Sequence, residues 1–241
     1  TVEKVYCATF PCPEVLDELL RRPATPALLF LHHPIDMEVS GRGFIPIAPE
    51  ALEGLRERCI SLYACHAPLD CHDEVGTNST SVEAFQVQVE RGFAPYGRGL
   101  AGRIGTIEPV RLEALIARGK AVFGVERVEI GGGKPDAISR VAIVAGGGDE
   151  VELMQEAEAS GVQAYITGEW YTRTTPADAA GRQWAQANRA DCLAYATSSR
   201  MALLGFSHAA TEYLVMTTQM AGFFARLGLP VECLEQSDWW R

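Results

Sequence analysis

The sequence predicts an α/β fold, with a mostly parallel sheet covered by helices. The first half alternates short apolar runs with amphipathic stretches of helical period, the order expected of strand and helix layers. Runs such as Leu28-Leu29-Phe30-Leu31 are continuous rather than alternating, as strands buried on both faces require. Histidines and carboxylates gather just beyond such runs, where open α/β sheets collect ligands.

Residues 2–9 read as the first strand. In residues 13–22, Val15, Leu16, Leu19 and Leu20 make one apolar helical face behind Pro13, which suits a first helical turn. The strand over 27–32 is ended by Pro34, which cannot continue a ladder. A loop through Gly41-Arg42-Gly43 leads to a helix over 49–58 and a strand over 59–65 that turns out through His66 to Asp70. Ser79 or Thr80 caps a helix reaching Arg91, with Val82, Phe85 and Val89 inward and Gly92 just past its end. The glycine-rich stretch 92–105 reads as the passage between an N-terminal α/β lobe, 1–98, and a C-terminal one, 99–241, with intertwining of the lobes left open. The second half continues with helix 109–118, strand 122–130, a turn at 131–133, strand 140–145, helix 150–159 and strand 164–167. A helix over 184–191, an apolar run over 201–206 and a last helix over 208–227 complete the chain.

Composition narrows the function classes. With 21 basic against 31 acidic residues, a formal charge of −10 and no dense Lys/Arg stripe, nucleic-acid binding is disfavoured, because it rests on neutralising phosphates. No apolar stretch approaches the roughly 20 residues of a membrane span, and no charged-then-apolar leader opens the chain, so a cytoplasmic protein is expected. Seven cysteines, an odd number without a Cys-x-x-Cys pair, read as reduced thiols. Cys65 and Cys71 flank a candidate ligand motif as soft ligands or redox-sensitive neighbours, but filling small core spaces is the favoured reading for free cysteine.

Four of the five histidines lie in three short motifs: His32-His33-Pro34, His66 with Asp70, and His208 with Glu212. Successive strand residues face opposite ways, so His32 and His33 can share a site only where the strand breaks into loop, as Pro34 dictates. His208 and Glu212, four apart at the start of a helix, share one face. Taken singly, each motif also fits hydrogen-bonded core histidines and capping acids. Together, four imidazoles and two carboxylates exceed the three protein ligands of a catalytic zinc site and fit a pair of divalent ions. Nitrogen and oxygen donors suit zinc, iron or manganese.

Six motifs occur in order: 31–34 (Leu-His-His-Pro), 63–70 (Tyr-Ala-Cys-His-Ala-Pro-Leu-Asp), 99–105 (Gly-Leu-Ala-Gly-Arg-Ile-Gly), 141–148 (Val-Ala-Ile-Val-Ala-Gly-Gly-Gly), 165–169 (Tyr-Ile-Thr-Gly-Glu) and 207–212 (Ser-His-Ala-Ala-Thr-Glu). In this series the chain resembles the Nif-three-like family, whose members are often labelled GTP cyclohydrolase I type 2 homologues. The resemblance implies a two-lobed fold of mixed and parallel sheets flanked by helices, with a dinuclear metal site in the inter-lobe cleft, assembled as a toroidal homohexamer. It implies that His32, His33, Asp70, His208 and Glu212 bind metal directly, with Glu212 as the bridge. His66 would either bind metal or orient Asp70 and a metal-bound water. The chain departs from the pattern in four places. It starts at the first strand without Met and without the preceding helix and Asp-Asn-x-Gly segment, which leaves processing open. Ala67-Pro68 replaces a small hydroxyl residue and Asn, Trp170-Tyr171-Thr172 follows Glu169 where relatives carry a histidine, and Ser207 replaces Gly.

Other features carry weaker expectations. Gly146-Gly147-Gly148-Asp149 is either a phosphate cradle or a tight strand-to-helix turn. Arg103 would meet an anionic substrate group or form a surface ion pair. Glu169 is a candidate general base, and Glu212 a candidate catalytic group as well as a ligand. His72 reads as a loop histidine, and Trp239-Trp240 as an oligomer contact or exposed end. The functional expectation is a metal-dependent hydrolase of the cyclohydrolase or phosphohydrolase type, taking a nucleotide or phosphorylated small molecule. The alternatives are a non-catalytic carrier handing metal to a recipient protein, a regulatory scaffold, or the transcription-factor partner implied by the family's historical name.

Overall fold

The computed structural model describes residues 1–36, 45–173, 176 and 178–237, so the predicted loop at 41–43 and Trp239-Trp240 lie outside the described residues. The first half comprises β1 (Lys4–Ala8), α1 (Pro13–Arg21), β2 (Ala27–Leu31), α2 (Pro49–Glu57), β3 (Ile60–Ala64), α3 (Ala67–Cys71), α4 (Thr77–Ala84) and β4 (Gln88–Tyr96). Next come β5 (Gly99–Val110), α5 (Leu112–Phe123), β6 (Glu129–Gly132), β7 (Ile138–Gly147), α6 (Val151–Ala159) and β8 (Ala164–Glu169). The chain continues through α7 (Ala179–Ala196), β9 (Ala202–Gly205), α8 (His208–Val215), a π-helical turn (Met216–Met220), α9 (Ala221–Arg226) and β10 (Val231–Cys233).

Two sheets form. A four-stranded, fully parallel sheet has the order β10-β1-β2-β3. A six-stranded mixed sheet runs β4-β5-β7-β8-β9-β6, parallel through β7, β8 and β9 and antiparallel at β4/β5, β5/β7 and β6/β9. Each sheet is buried on both faces, which is why its central strands read as continuous apolar runs. On one face of the first sheet Tyr6, Ala8, Leu29 and Leu31 pack against Val15, Leu16 and Leu19 of α1 and Leu55 of α2. On the other, Val5, Cys7 and Phe30 meet Val215, Met216, Met220 and Phe224 of the last helix. That helix begins against the other sheet, where Ala210 joins Val141, Ile143 and Ile166. It therefore spans both cores, and fully burying each such apolar side chain contributes about 1.5–3 kcal/mol.

Several expectations need correction. The predicted helix from Ser79/Thr80 to Arg91 is α4, starting earlier behind Gly76 and ending at Phe85, where Gln86 takes φ +55°. Val89, expected inward, is exposed on the edge strand β4. Residues 92–105 form most of the antiparallel β4–β5 hairpin, whose turn holds the 98/99 boundary. The predicted strand over 122–130 is the end of α5, stopped by left-handed Gly124, followed by the short β6, which takes in Gly131 and Gly132. Two short elements, α3 and β10, were not anticipated, and the last helix carries an unexpected π turn.

Candidate metal centre

The site lies beyond the carboxyl ends of β2 and β3 and against the N-terminus of α8. β2 ends at Leu31, but its ladder to β1 continues one-sidedly, His32 N donating to Ala8 O at 3.3 Å and His33 N to Thr9 O at 2.9 Å. This holds both histidines where the strand opens, their rings at 4.6 Å and nearly perpendicular. His66 caps α3, and Asp70 follows one turn later. Ser207, at φ +88°, makes the bend into α8, and its hydroxyl accepts from Ala210 N at 3.2 Å. His208 and Glu212 then stand on one face of α8, 3.1 Å apart.

One donor atom each, a nitrogen from His32, His33 and His66 and an oxygen from Glu212, fall within 4.8 Å of one another, a group able to hold a metal ion. Asp70 adjoins it, with Oδ1 3.3 Å from His32 Nε2 and Oδ2 3.8 Å from His66 Nε2. The six residues expected as metal ligands are thus neighbours.

The protons decide what the cluster can hold. His32 Nδ1 lies 3.1 Å from Cys65 O, which can only accept, so that nitrogen carries the hydrogen. In a neutral ring Nε2 is then a lone pair, yet it faces Asp70 Oδ1 and, at 3.4 Å, Glu212 Oε1. It is buried and makes no hydrogen bond to any of the described residues. His208 repeats the arrangement, Nδ1 donating to Glu169 Oε1 at 3.1 Å while Nε2 faces Glu212. Acceptors converging in a buried site require a cation, and a divalent metal fits this donor set.

Without metal, protons meet part of that demand. Burial works toward neutral rings at His32 and His208, but Glu212, with Asp70 at the first and Glu169 at the second, outweighs it and raises both. Burial disfavours the Glu212 carboxylate too, yet His208, His33 and His32 hold it well below the usual range. At the remaining three groups burial wins, lowering His33 to about 3 and His66 to about 4 and raising Asp70 to about 6.

Sequence reasoning missed the residues that hold these groups in place. Phe10, just beyond β1, stacks on the His33 ring at 4.1 Å and 7°. Thr77 donates to Asp70 Oδ1 at 2.6 Å, while Asn78 donates to Asp70 O and accepts from Ala145 N. The only signal for the last two was a run of small polar residues, Thr77 to Ser81, where a helix would normally show an apolar face.

The glycine-rich turn serves close packing. Gly146 has φ +72°, and a Cβ there would fall 2.2 Å from Glu212 Oε1. Its N–H goes to Thr211 Oγ1 and that of Gly148 to Glu169 O, so two of the amides considered for a phosphate cradle are taken. Arg103 is buried and held by Asp73, at 2.7 Å, and by the Leu100 and Gly102 carbonyls. His72 is exposed and accepts from the Glu74 and Val75 amides within its own loop. Neither Cys65 nor Cys71 belongs to the donor group.

A cavity of about 360 Å³ opens onto His33, His66, Asp70, His208 and Glu212. Its remaining wall is mostly apolar, including Pro34, Ile35, Pro95, Tyr96, Val144 and Leu153, with Glu150 also lining it. This size and lining suit a small molecule. Among the described residues no helix is long and apolar enough to cross a membrane.

Comparison with known proteins gives a consistent picture. The chain is 32% identical over 148 residues to a "GTP cyclohydrolase 1 type 2 homolog" of Archaeoglobus fulgidus, covering 59% of this chain and 55% of the relative. It spans about half the length of the curated relatives it matches first. Its fold superposes on the solved structure described as "protein ybgI, unknown function" with TM-score 0.70 at 22% identity, covering 99% of this chain and 86% of the other. It also superposes on a Bacillus cereus protein related to NIF3, with TM-score 0.66 at 14% identity over 98% and 87% of the two chains. The family model described as Duf34/NIF3 (NGG1p interacting factor 3) matches residues 1–237, and the chain belongs to that family.

Proposed function

We propose that the protein is a dinuclear metal-dependent hydrolase acting on a nucleotide or another phosphorylated small molecule. The observation that carries this reading is His32 Nε2, buried, without a hydrogen bond among the described residues and aimed with two carboxylates at one point. His32, His33, His66, Asp70, His208 and Glu212 would hold two divalent ions, zinc, iron or manganese, since six donors exceed what one four-coordinate ion takes. Glu212 directs Oε1 toward His32 and His208 and Oε2 toward His33, which supports it as the bridge. When bound, such a pair supplies Lewis acidity and a hydrolytic nucleophile near neutral pH.

Glu169 keeps the Nδ1 proton of His208 and so turns Nε2 toward the donor group. Its other oxygen accepts from Arg173 N, which favours a positioning role over that of general base. Tyr96, Pro95 and Leu153 would pack a ring and keep water from the donors. The name of the curated relatives makes ring opening of a purine nucleotide the first reaction to test.

His66 favours a second reading. Its side chain is 39% exposed, so one donor is reachable from outside, as handing metal to a recipient protein would require. Elemental analysis of wild-type and His208→Ala protein tests the common premise: about two ions per chain, lost in the variant, are expected. Saturable nucleotide hydrolysis abolished by Glu212→Ala supports the enzyme; metal transfer without turnover supports the carrier. The family resemblance supports a cytoplasmic homohexamer, which sedimentation of the intact protein would read.

A further inference from the structure

We propose that Cys7 and Cys233 form a hydroperoxide-reactive dithiol, a modification site outside the metal-binding group, that closes to a disulfide. The two residues are direct register partners on the parallel strands β1 and β10. Neighbouring strands lie about 4.7–4.9 Å apart, inside the Cα separation of roughly 4.4–6.8 Å that disulfides span. Parallel register partners also project to the same face, here toward the π-helical turn, where the Cys233 thiol reaches Met216 O at 3.3 Å.

The two thiols differ in a way that assigns their roles. Cys7 is fully buried, whereas Cys233 is half-buried on a three-residue strand at the edge of the sheet. The neighbouring thiol lowers Cys233 and raises Cys7, so the more accessible of the two is the one that ionises first. A nucleophilic, reachable thiol beside a shielded one is the arrangement of an attacking and a resolving cysteine. By contrast, burial raises Cys65 and Cys71 and carries Cys192 up to about 12.

The chemistry closes with the hydroperoxide as the sole co-reactant. The Cys233 sulfur attacks the terminal peroxide oxygen, the O–O bond breaks, and the alcohol, or water from hydrogen peroxide, leaves with the Cys233 proton. The Cys7 sulfur then attacks the resulting sulfenic sulfur, forming S–S and breaking S–O, and hydroxide leaves with the Cys7 proton as water. The two sulfurs together lose two electrons, and the peroxide gains them.

The test treats the intact protein with a few equivalents of hydrogen peroxide, alkylates free thiols, digests without reductant and maps the peptides by mass. The expected product is the Cys7 peptide joined to the Cys233 peptide, two hydrogens lighter than their sum and separated by reductant. In Cys7→Ser, Cys233 is expected to stop at sulfenic or sulfinic acid; in Cys233→Ser, Cys7 is expected to stay reduced. Wild-type protein in which both thiols remain alkylatable while exposed Cys59 oxidises would overturn the proposal. So would an unchanged oxidation product in Cys7→Ser. The wild-type arm decides the matter even if a variant fails to fold.

Discussion

The imidazole of His208 is held from both ends by carboxylates on different elements, Glu169 Oε1 at Nδ1 and Glu212 Oε1 at Nε2, each at 3.1 Å. Both partners are acceptors, so a cation at Nε2 would leave the ring proton at Nδ1 with Glu169, which then sets the direction in which His208 offers its lone pair. Glu169→Gln keeps the volume but can present an amide N–H to Nδ1 and favour the wrong tautomer. Metal affinity is expected to fall about 10–100-fold with the fold intact, read by competition against a chromophoric chelator. Equal affinity in the Gln variant would remove the positioning role.

Ser207 occupies φ +88°, backbone that a non-glycine residue adopts at a cost of about 1–3 kcal/mol. Ser207→Gly relieves that cost and loses the hydroxyl cap, worth a few tenths of a kcal/mol against Gly. The balance predicts stabilisation of about 1 kcal/mol and a melting temperature raised by roughly 2–4 °C, measured by calorimetry on metal-free protein.

Gly146→Ala should act on the site more than on the fold. Its methyl would press on Glu212 Oε1 and lie 3.1 Å from His208 Nε2, at a backbone conformation that already disfavours a side chain. Metal content is expected to collapse while far-ultraviolet circular dichroism keeps its helical signal. Full metal loading would show that Glu212 can move aside without consequence.

Edge strand β10 is tied to the rest of its sheet by charge. Arg22, at 2.6 Å, and Lys4, at 2.7 Å, hold the Glu232 carboxyl down to about 2 from an ordinary 4.5. The stability this adds is complete above pH 4.5 and is lost as pH falls through about 2. With the Glu232 side chain 38% exposed, solvent screening limits the effect to under about 1 kcal/mol. Glu232→Gln should therefore melt slightly below wild type at neutral pH, with the gap closing toward pH 2 and shrinking in high salt.

The core mutation Leu29→Ala supplies a contrast. This side chain of β2 is fully buried on the sheet face that α1 covers, so its truncation should cost about 2–5 kcal/mol by chemical denaturation without altering the donor geometry.

The parallel strands were legible because burial on both faces leaves uninterrupted apolar runs, as in β2 and β8. β4 was not, because Val82, Phe85 and Val89 fit a helical stripe as well as they fit any other pattern, and Gln86 turns the chain at positive φ without a glycine to announce it. Likewise Val122, Phe123 and Val125 look like strand, and only tertiary packing carries α5 through to Gly124. The histidines could be found because each motif stands at the end of an apolar run. Phe10, Thr77 and Asn78 could not, since they act through stacking and hydrogen bonds across the fold that no local pattern encodes.

The last helix gives the two sheets a common fate. Its first turns complete the core of the mixed sheet and its final turns cover the parallel one, so neither sheet can melt alone without stripping a face from this helix. The chain should lose structure in one cooperative transition despite its two sheets. Ligands from the loops after β2 and β3 and from α8 would make any bound ion a clasp between the two layers, tightening that single transition as ion concentration rises.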